Sequence, residues 1–255
     1  MHILEKKIRD AQAAGRCALI PYITAGFPDE SAFWSAVAEL DACGADIIEL
    51  GVPFSDPVAD GPVVEAAAQR ALEGGMTLDR LLRGLESRKG TFSAGLVIMG
   101  YLNPFLQYGF ARFAREAARA GVQGCIIPDL PHEEDAPYRA RLAANGMALI
   151  PLVGQNTSAE RMRLYAQQSE GYAYVVSVMG TTGGQGALPV QARDTLSRAR
   201  SVFSVPLALG FGLQNPQQLA HIPAQARPDA VVFGSALLRH IDVGNSPSSF
   251  MKIWM

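Results

Sequence analysis

The chain has 255 residues, 49% hydrophobic and 18% charged, a balance that suits a packed core and excludes a disordered chain. Its 22 basic and 24 acidic residues leave a formal net charge of −2, which removes any bulk attraction to nucleic acid or anionic lipid. Cys17, Cys43 and Cys125 are too few and too widely spaced for a disulfide framework or a cysteine metal cluster, so buried thiols in a reducing cytoplasm are expected. The N-terminus, MHILEKKIRD, carries charge where a secretory signal needs an apolar run. The longest apolar stretch, Met147 to Val153, is far short of a membrane span.

Taken in chain order, short apolar runs alternate with stretches of helical spacing. The first fourteen residues read as a short amphipathic helix, followed by a strand over Ala18–Thr24. Asp29 caps a helix that presents Phe33, Val37 and Leu40 on one face and ends at Gly44. A strand over Asp46–Leu50 leads to a helix that starts at Pro62 and ends at Gly74-Gly75. Leu78, Leu81, Leu82 and Leu85 mark a second helix before the strand Gly95–Gly100. Phe110, Phe113 and Ala117 form the next stripe, stopped by Gly121 ahead of the strand Gly124–Pro128. Glu133, Glu134 and Asp135 place negative charge at a helix start, Asn145-Gly146 ends that helix, and the fifth strand covers Met147–Val153. Thr157 and Glu160 have the spacing of a capping box. The last three strands fall at Tyr172–Val178, Val205–Gly210 and Asp229–Phe233, with Leu196, Ala199 and Phe203 lining the helix before the seventh.

Eight such strands start about 30 residues apart, which is the length of a β-α unit. They are nearly continuous apolar runs, as parallel strands buried on both faces require. The expected architecture is a (β/α)₈ TIM barrel with an extra N-terminal helix, in a single domain over 1–255. The rival is a doubly wound open sheet, but neither G-x-G-x-x-G nor G-x-x-x-x-G-K-[ST] occurs.

In such a barrel the chemistry lies at the C-terminal ends of the strands. After strand two the chain reads Glu49-Leu50-Gly51-Val52-Pro53-Phe54-Ser55-Asp56-Pro57-Val58-Ala59-Asp60-Gly61-Pro62. Glu49, carried on a strand, suits a rigid and desolvated general acid/base, and Asp60, carried on a loop, suits a group that swings onto a ligand. A charged barrel rim and a helix cap are the alternative reading of the same two residues, and Asp56 fits a turn. Glycines crowd the last three strand ends, at Gly180-Thr181-Thr182-Gly183-Gly184-Gln185-Gly186, Gly210-Phe211-Gly212 and Gly234-Ser235. They allow close backbone approach to a phosphate, with a short helix, Ala236–His240, opening after the final strand. His2, His132, His221 and His240 have no ligand spacing, and there is no G-x-S-x-G and no strand-end lysine for an imine. His132 is expected at a solvated helix start. Tyr22, Tyr101 and Tyr174, with Met99 and Leu152 nearby, suit an aromatic-ligand pocket, and core packing accounts for each equally well.

The run Glu49 to Pro62 resembles, nearly letter for letter, the signature of the tryptophan synthase alpha chain family. Pro21-Tyr22-Ile23-Thr24-Ala25-Gly26, Tyr101-Leu102-Asn103-Pro104 and Pro128-Asp129-Leu130-Pro131 are similar to its first, third and fourth strand ends, so the resemblance covers almost the whole chain. It implies a barrel lyase that splits indole-3-glycerol phosphate into indole and glyceraldehyde 3-phosphate. It also implies a heterotetrameric αββα assembly, in which indole passes to a pyridoxal-phosphate beta chain while this chain holds no cofactor and no metal. By resemblance Glu49 is the acid/base at indole C3 and at the glycerol hydroxyl. Asp60 binds the indole N–H, and Tyr174 supports the catalytic carboxylate. Gly183, Gly212, Gly234 and Ser235 would hold the phosphate, and Tyr22, Met99, Tyr101, Leu152 and Phe211 would line the indole pocket. The loop Ser177-Val178-Met179-Gly180-Thr181-Thr182-Gly183 departs from the family's common wording but keeps Thr182-Gly183, and the closing segment, Ser246–Met255, is short.

Overall fold

The computed structural model describes residues 1–176, 189–210, 215–220, 222–223 and 226–255. Helix α1 (Ile3–Ala13) precedes β1 (Ala18–Thr24), α2 (Glu30–Ala42), β2 (Ile47–Gly51), α3 (Pro62–Glu73), α4 (Leu78–Glu86) and β3 (Gly95–Met99). Then come α5 (Leu102–Tyr108), α6 (Phe110–Arg119), β4 (Gly124–Ile126), a 3₁₀ turn (His132–Glu134), α7 (Ala136–Ala143), β5 (Ala148–Leu149) and β6 (Leu152–Val153). The chain continues through α8 (Ala159–Gln167), β7 (Ala173–Val176), α9 (Val190–Arg200), β8 (Leu207–Gly210), α10 (Gln217–Ala220), β9 (Ala230–Phe233), α11 (Ser235–Asp242) and α12 (Pro247–Trp254).

The sheet is wholly parallel, in the order β5-β4-β3-β2-β1-β9-β8-β7-β6. Its two end strands are the halves of the fifth sequence strand, separated by Ile150 and Pro151. Pro151 has no N–H and a fixed φ, so it divides the run into two short pieces. Ala148 and Ile150 donate to Gln123 and Cys125 on the β4 side at 2.9 Å, and Tyr174 of β7 donates to the Pro151 carbonyl at 2.9 Å. One chain segment therefore bonds to both edges, and the sheet closes into the barrel.

Strand alternation divides the apolar residues between two cores. Outward residues such as Ile23, Leu50, Ile98 and Leu209 pack under the helices. Inward residues such as Ile20, Ile47, Val97, Ile126 and Val232 fill the barrel together with Leu4, Ile8 and Ala11 of α1. Helix α1 thus plugs the N-terminal end. Leu4 sits so close to β3 and β4 that an added Cβ would lie 2.7 Å from it at Gly95 and 2.8 Å from it at Gly124. The plugged end leaves the C-terminal strand ends as the open mouth.

The punctuation follows local physical chemistry with three differences. Asp29 accepts from the Ala32 amide and caps α2, and Pro62 opens α3. At α8 the cap is Ser158, whose hydroxyl accepts from the Arg161 amide, while Thr157 turns back to accept from the Gly154 amide. The N-cap is therefore one residue later than expected, and Glu160 no longer stands at the third position that a capping box requires. Phe203 is buried but lies beyond the end of α9. His132 is only partly exposed and is held in place: its Nδ1 lies 2.8 Å from Asp135 and its ring meets the Tyr165 ring edge-on at 4.8 Å. The closing helix α12 is formed, with Phe250 and Met251 buried and Trp254 stacked on Phe233 at 5.0 Å. Among the described residues no helix is long and apolar enough to cross a membrane.

Candidate active site

Glu49 is the central residue of β2, flanked in register by Tyr22 on β1 and Val97 on β3. Its side chain points into the barrel and is fully buried. The Tyr172 hydroxyl, from the start of the opposite strand β7, donates to Glu49 Oε1 at 2.8 Å. Glu49 Oε2 is buried and has no hydrogen-bond partner among the described residues. Burial disfavours the carboxylate and the Tyr172 hydrogen bond only partly restores it, so the carboxyl group is pushed up to about 8. At neutral pH Glu49 carries a proton it can give away, and one oxygen free to direct it.

Asp60 lies on the loop between β2 and α3, partly exposed. It does not cap α3, whose N-cap is Gly61 with no side-chain hydrogen bond. The Tyr101 hydroxyl donates to the Asp60 carboxylate and accepts from the Ala59 amide at 3.0 Å. Tyr101 is therefore the clamp on this loop, with Phe54 tilted against its ring at 5.5 Å. Burial raises the Asp60 carboxyl above its ordinary range, and Tyr101 opposes that shift. The Tyr101 hydroxyl is itself pushed up to about 12, chiefly by burial. Asp56, further back on the loop, is exposed and accepts from the Ser55 hydroxyl.

Tyr22, Tyr172 and Tyr174 surround Glu49. Tyr174 is buried and lies over β8, where an added Cβ at Gly210 would come within 2.0 Å of its hydroxyl. Burial and the nearby Glu49 charge hold the Tyr174 hydroxyl well above its ordinary range. Met99 and Leu152 are partly buried and pack on the interior cluster at the mouth. Gly234 is the N-cap of α11, with no side chain to cover the free amides at Ser235 and the residues that follow. Tyr22 packs closely on Gly234, 3.1 Å from where a Cβ would stand. The helix N-terminus thus opens towards the mouth, with the donors and dipole that suit an anion. Gly183, Gly212 and Phe211 lie outside the described residues.

The sequence reading missed Tyr172. The signal was present: Tyr172 and Tyr174 are two apart, so both face inward on one strand. A cavity of about 310 Å³ lies between α7 and α8, lined by His132, Asp135, Arg139, Leu149 and Tyr165 among others; it shares Leu152 with the mouth, and neither Glu49 nor Asp60 lines it. Among the described residues no cluster of His, Cys, Asp and Glu has the arrangement of a metal site.

Comparison with known proteins places this geometry. Residues 8–251 match the family model described as tryptophan synthase alpha chain. A tryptophan synthase alpha chain of Desulfovibrio desulfuricans is 63% identical over 254 residues, covering 100% of both chains. One from Nitratidesulfovibrio vulgaris Hildenborough is 64% identical over 251 residues, covering 98% of this chain and 97% of its own. Among solved structures, the Legionella pneumophila tryptophan synthase alpha chain superposes with a TM-score of 0.85 at 32% identity, covering 100% of this chain and 95% of its own. Mycobacterium tuberculosis tryptophan synthase gives a TM-score of 0.88 at 34% identity, covering 99% and 95%.

Proposed function

The chain belongs to the tryptophan synthase alpha chain family, and from that premise we propose that it cleaves indole-3-glycerol phosphate to indole and glyceraldehyde 3-phosphate by a retro-aldol reaction. The observation that carries the reading is Glu49: a buried carboxyl, pushed up to about 8, with one oxygen held by Tyr172 and the other unpartnered.

Glu49 gives its proton to indole C3. The ring becomes an indoleninium cation, and Asp60 accepts a hydrogen bond from its N–H and balances the charge. Glu49, now a carboxylate, takes the proton of the glycerol hydroxyl next to the ring. The C–C bond to C3 breaks, its electron pair returns to the ring, and the hydroxyl carbon becomes the aldehyde. One proton enters and one leaves, so Glu49 ends as it began. The phosphate sits at the N-terminus of α11 on Gly234 and Ser235, with Gly183 and Gly212 completing the site, and Tyr22, Met99, Tyr101, Leu152 and Phe211 line the indole pocket. Tyr174 walls the catalytic carboxyl. This chain's residues need no cofactor for these steps. Indole passes on to a pyridoxal-phosphate beta chain in a cytoplasmic αββα assembly.

The test is release of glyceraldehyde 3-phosphate from indole-3-glycerol phosphate, with and without a beta chain from the same source. Slow release alone and strong activation on mixing support the proposal. Fast release alone points to a stand-alone lyase, and no release in either sample overturns the activity.

A further inference from the structure

The sequence motifs Tyr101-Leu102-Asn103-Pro104 and Pro128-Asp129-Leu130-Pro131 meet in the structure, and the chemistry above uses only the first. Strands β3 and β4 run level at their C-terminal ends, with Met99 beside Ile126. The Gly100 amide extends that pairing by donating to the Ile126 carbonyl at 3.0 Å. The chain after β4 then turns, and the Leu130 amide donates to the Ile127 carbonyl at 3.2 Å. This turn brings Asp129 to the start of α5, where its Oδ1 accepts from the Leu102 amide at 2.9 Å.

The first amides of a helix have no partner within it, and a short polar side chain at the N-cap normally takes one of them. At α5 the N-cap is Tyr101, whose side chain makes no cap hydrogen bond. Its hydroxyl serves elsewhere: it accepts from the Ala59 amide at 3.0 Å, next to Asp60. Pro104 removes another of the free amides. Asp129 supplies, from a different strand end, the cap that Tyr101 does not. The Tyr101 backbone is extended, at φ −75° and ψ 156°, and leads directly into the capped residue. The connections that follow β2, β3 and β4 are thus tied in series, Asp129 to the Leu102 amide and Tyr101 to the Asp60 loop.

We propose that Asp129 is a positioning residue for Asp60: by capping α5 from the β4 end it fixes the Tyr101 backbone, and through it the hydroxyl that holds the Asp60 loop at the mouth. The role in turnover rests on the lyase reading, while the coupling of Asp129 to the loop does not. Asp129 is exposed, so solvent screens its charge and the acceptor oxygen is what the helix uses.

Asp129→Ala removes the acceptor, and Asp129→Asn keeps one in the same place without the charge. Two readouts are made on the full chain: hydrogen exchange of the Leu102 and Ala59 amides in ¹⁵N-labelled protein, and kcat and KM for glyceraldehyde 3-phosphate release. In Asp129→Ala both amides should exchange faster by about fivefold, the scale of one helix cap. Ala59 is the informative amide, because its partner is Tyr101, on a different connection from Asp129. The value of kcat should fall by about fivefold with KM changed by less than about twofold, because Asp60 meets a charge that exists only once the ring is protonated. Asp129→Asn should return both readouts to within about twofold of the parent. An Ala59 amide that exchanges as in the parent overturns the proposal, whatever happens at Leu102. An unchanged kcat, or an Asn variant that restores neither readout, overturns it too. If the unmodified chain releases no product, the lyase reading fails, and the Ala59 exchange alone decides on Asp129. If Asp129→Ala does not fold, Asp129→Ser takes its place, with a hydroxyl that stops one bond short of the carboxylate oxygens. A smaller rise in Ala59 exchange then supports the proposal, and none overturns it.

Discussion

At the scale of single residues, the protonation of Glu49 governs both chemistry and stability. Its carboxyl is pushed from 4.5 to about 8 by burial. A raised acid is favoured by folding in its neutral form, so its contribution is fully present below pH 4.5 and lost as pH rises through about 8. Glu49→Gln is nearly isosteric and cannot titrate. It should lower turnover by about 10³-fold or more while leaving the circular dichroism spectrum unchanged. The variant should also gain on the parent in thermal stability between pH 6 and pH 9, by an amount on the order of a few kcal/mol. Equal pH dependence of Tm in the two proteins would show that Glu49 is not held neutral. Tyr172→Phe tests the same group from the other side. Loss of its 2.8 Å hydrogen bond to Oε1 removes the one influence that lowers the Glu49 value. The pH profile of the variant should therefore shift to higher pH on its Glu49 limb, with kcat at neutral pH reduced by about tenfold. An unmoved limb would leave Tyr172 a packing residue.

At the scale of elements, α1 makes the barrel one-ended. Leu4 reaches down to Gly95 and Gly124, where no side chain could coexist with it, and is fully buried. Leu4→Ala leaves a cavity in the plug that β3 and β4 cannot close, because their facing residues are glycines. The expected cost is about 2–5 kcal/mol, read from chemical denaturation, with little change in KM because the mouth is at the far end. The strand regions, most of the helices and the loop with Asp60 were legible in the sequence, because each carries its own local signal: an apolar run, a cap, a glycine stop; the short helices α5 and α10 were not read. What escaped was set by partners distant in sequence. Pro151 divides the fifth strand only because that strand closes the barrel and must bond to β4 and β7 at once. Thr157 leaves the cap of α8 to Ser158 because its hydroxyl serves the Gly154 amide in the preceding turn. Tyr172 is 123 residues from Glu49, and only the closed barrel brings them together. The same closure places Tyr22 between Gly51 and Gly234, from opposite ends of the chain.

At the scale of the whole molecule, the open end of the barrel also carries exposed apolar side chains. Val58, on the Asp60 loop, is 78% exposed, and Leu106, on α5 after β3, is 47% exposed. Both lie on connections that leave the C-terminal ends of β2 and β3, beside the mouth from which indole would leave. An apolar rim at that place suits a face that is covered when a second chain takes the product without releasing it to water. Leu106 lies on α5, off the strands and the loop that carry Glu49, Asp60 and Tyr174, so it separates docking from chemistry. Leu106→Asp places a charge that would have to be desolvated in the covered face. Release of glyceraldehyde 3-phosphate by the chain alone should stay within about twofold of the parent. Titration with the beta chain should need at least about tenfold more partner to reach half-maximal activation, a loss of about 1.4 kcal/mol in association. Because the substitution adds charge to an exposed position, the folded state tolerates it, and an unchanged Tm confirms that only docking was altered. An activation curve that superposes on the parent's would place the beta chain elsewhere on the surface and leave the apolar rim without that role.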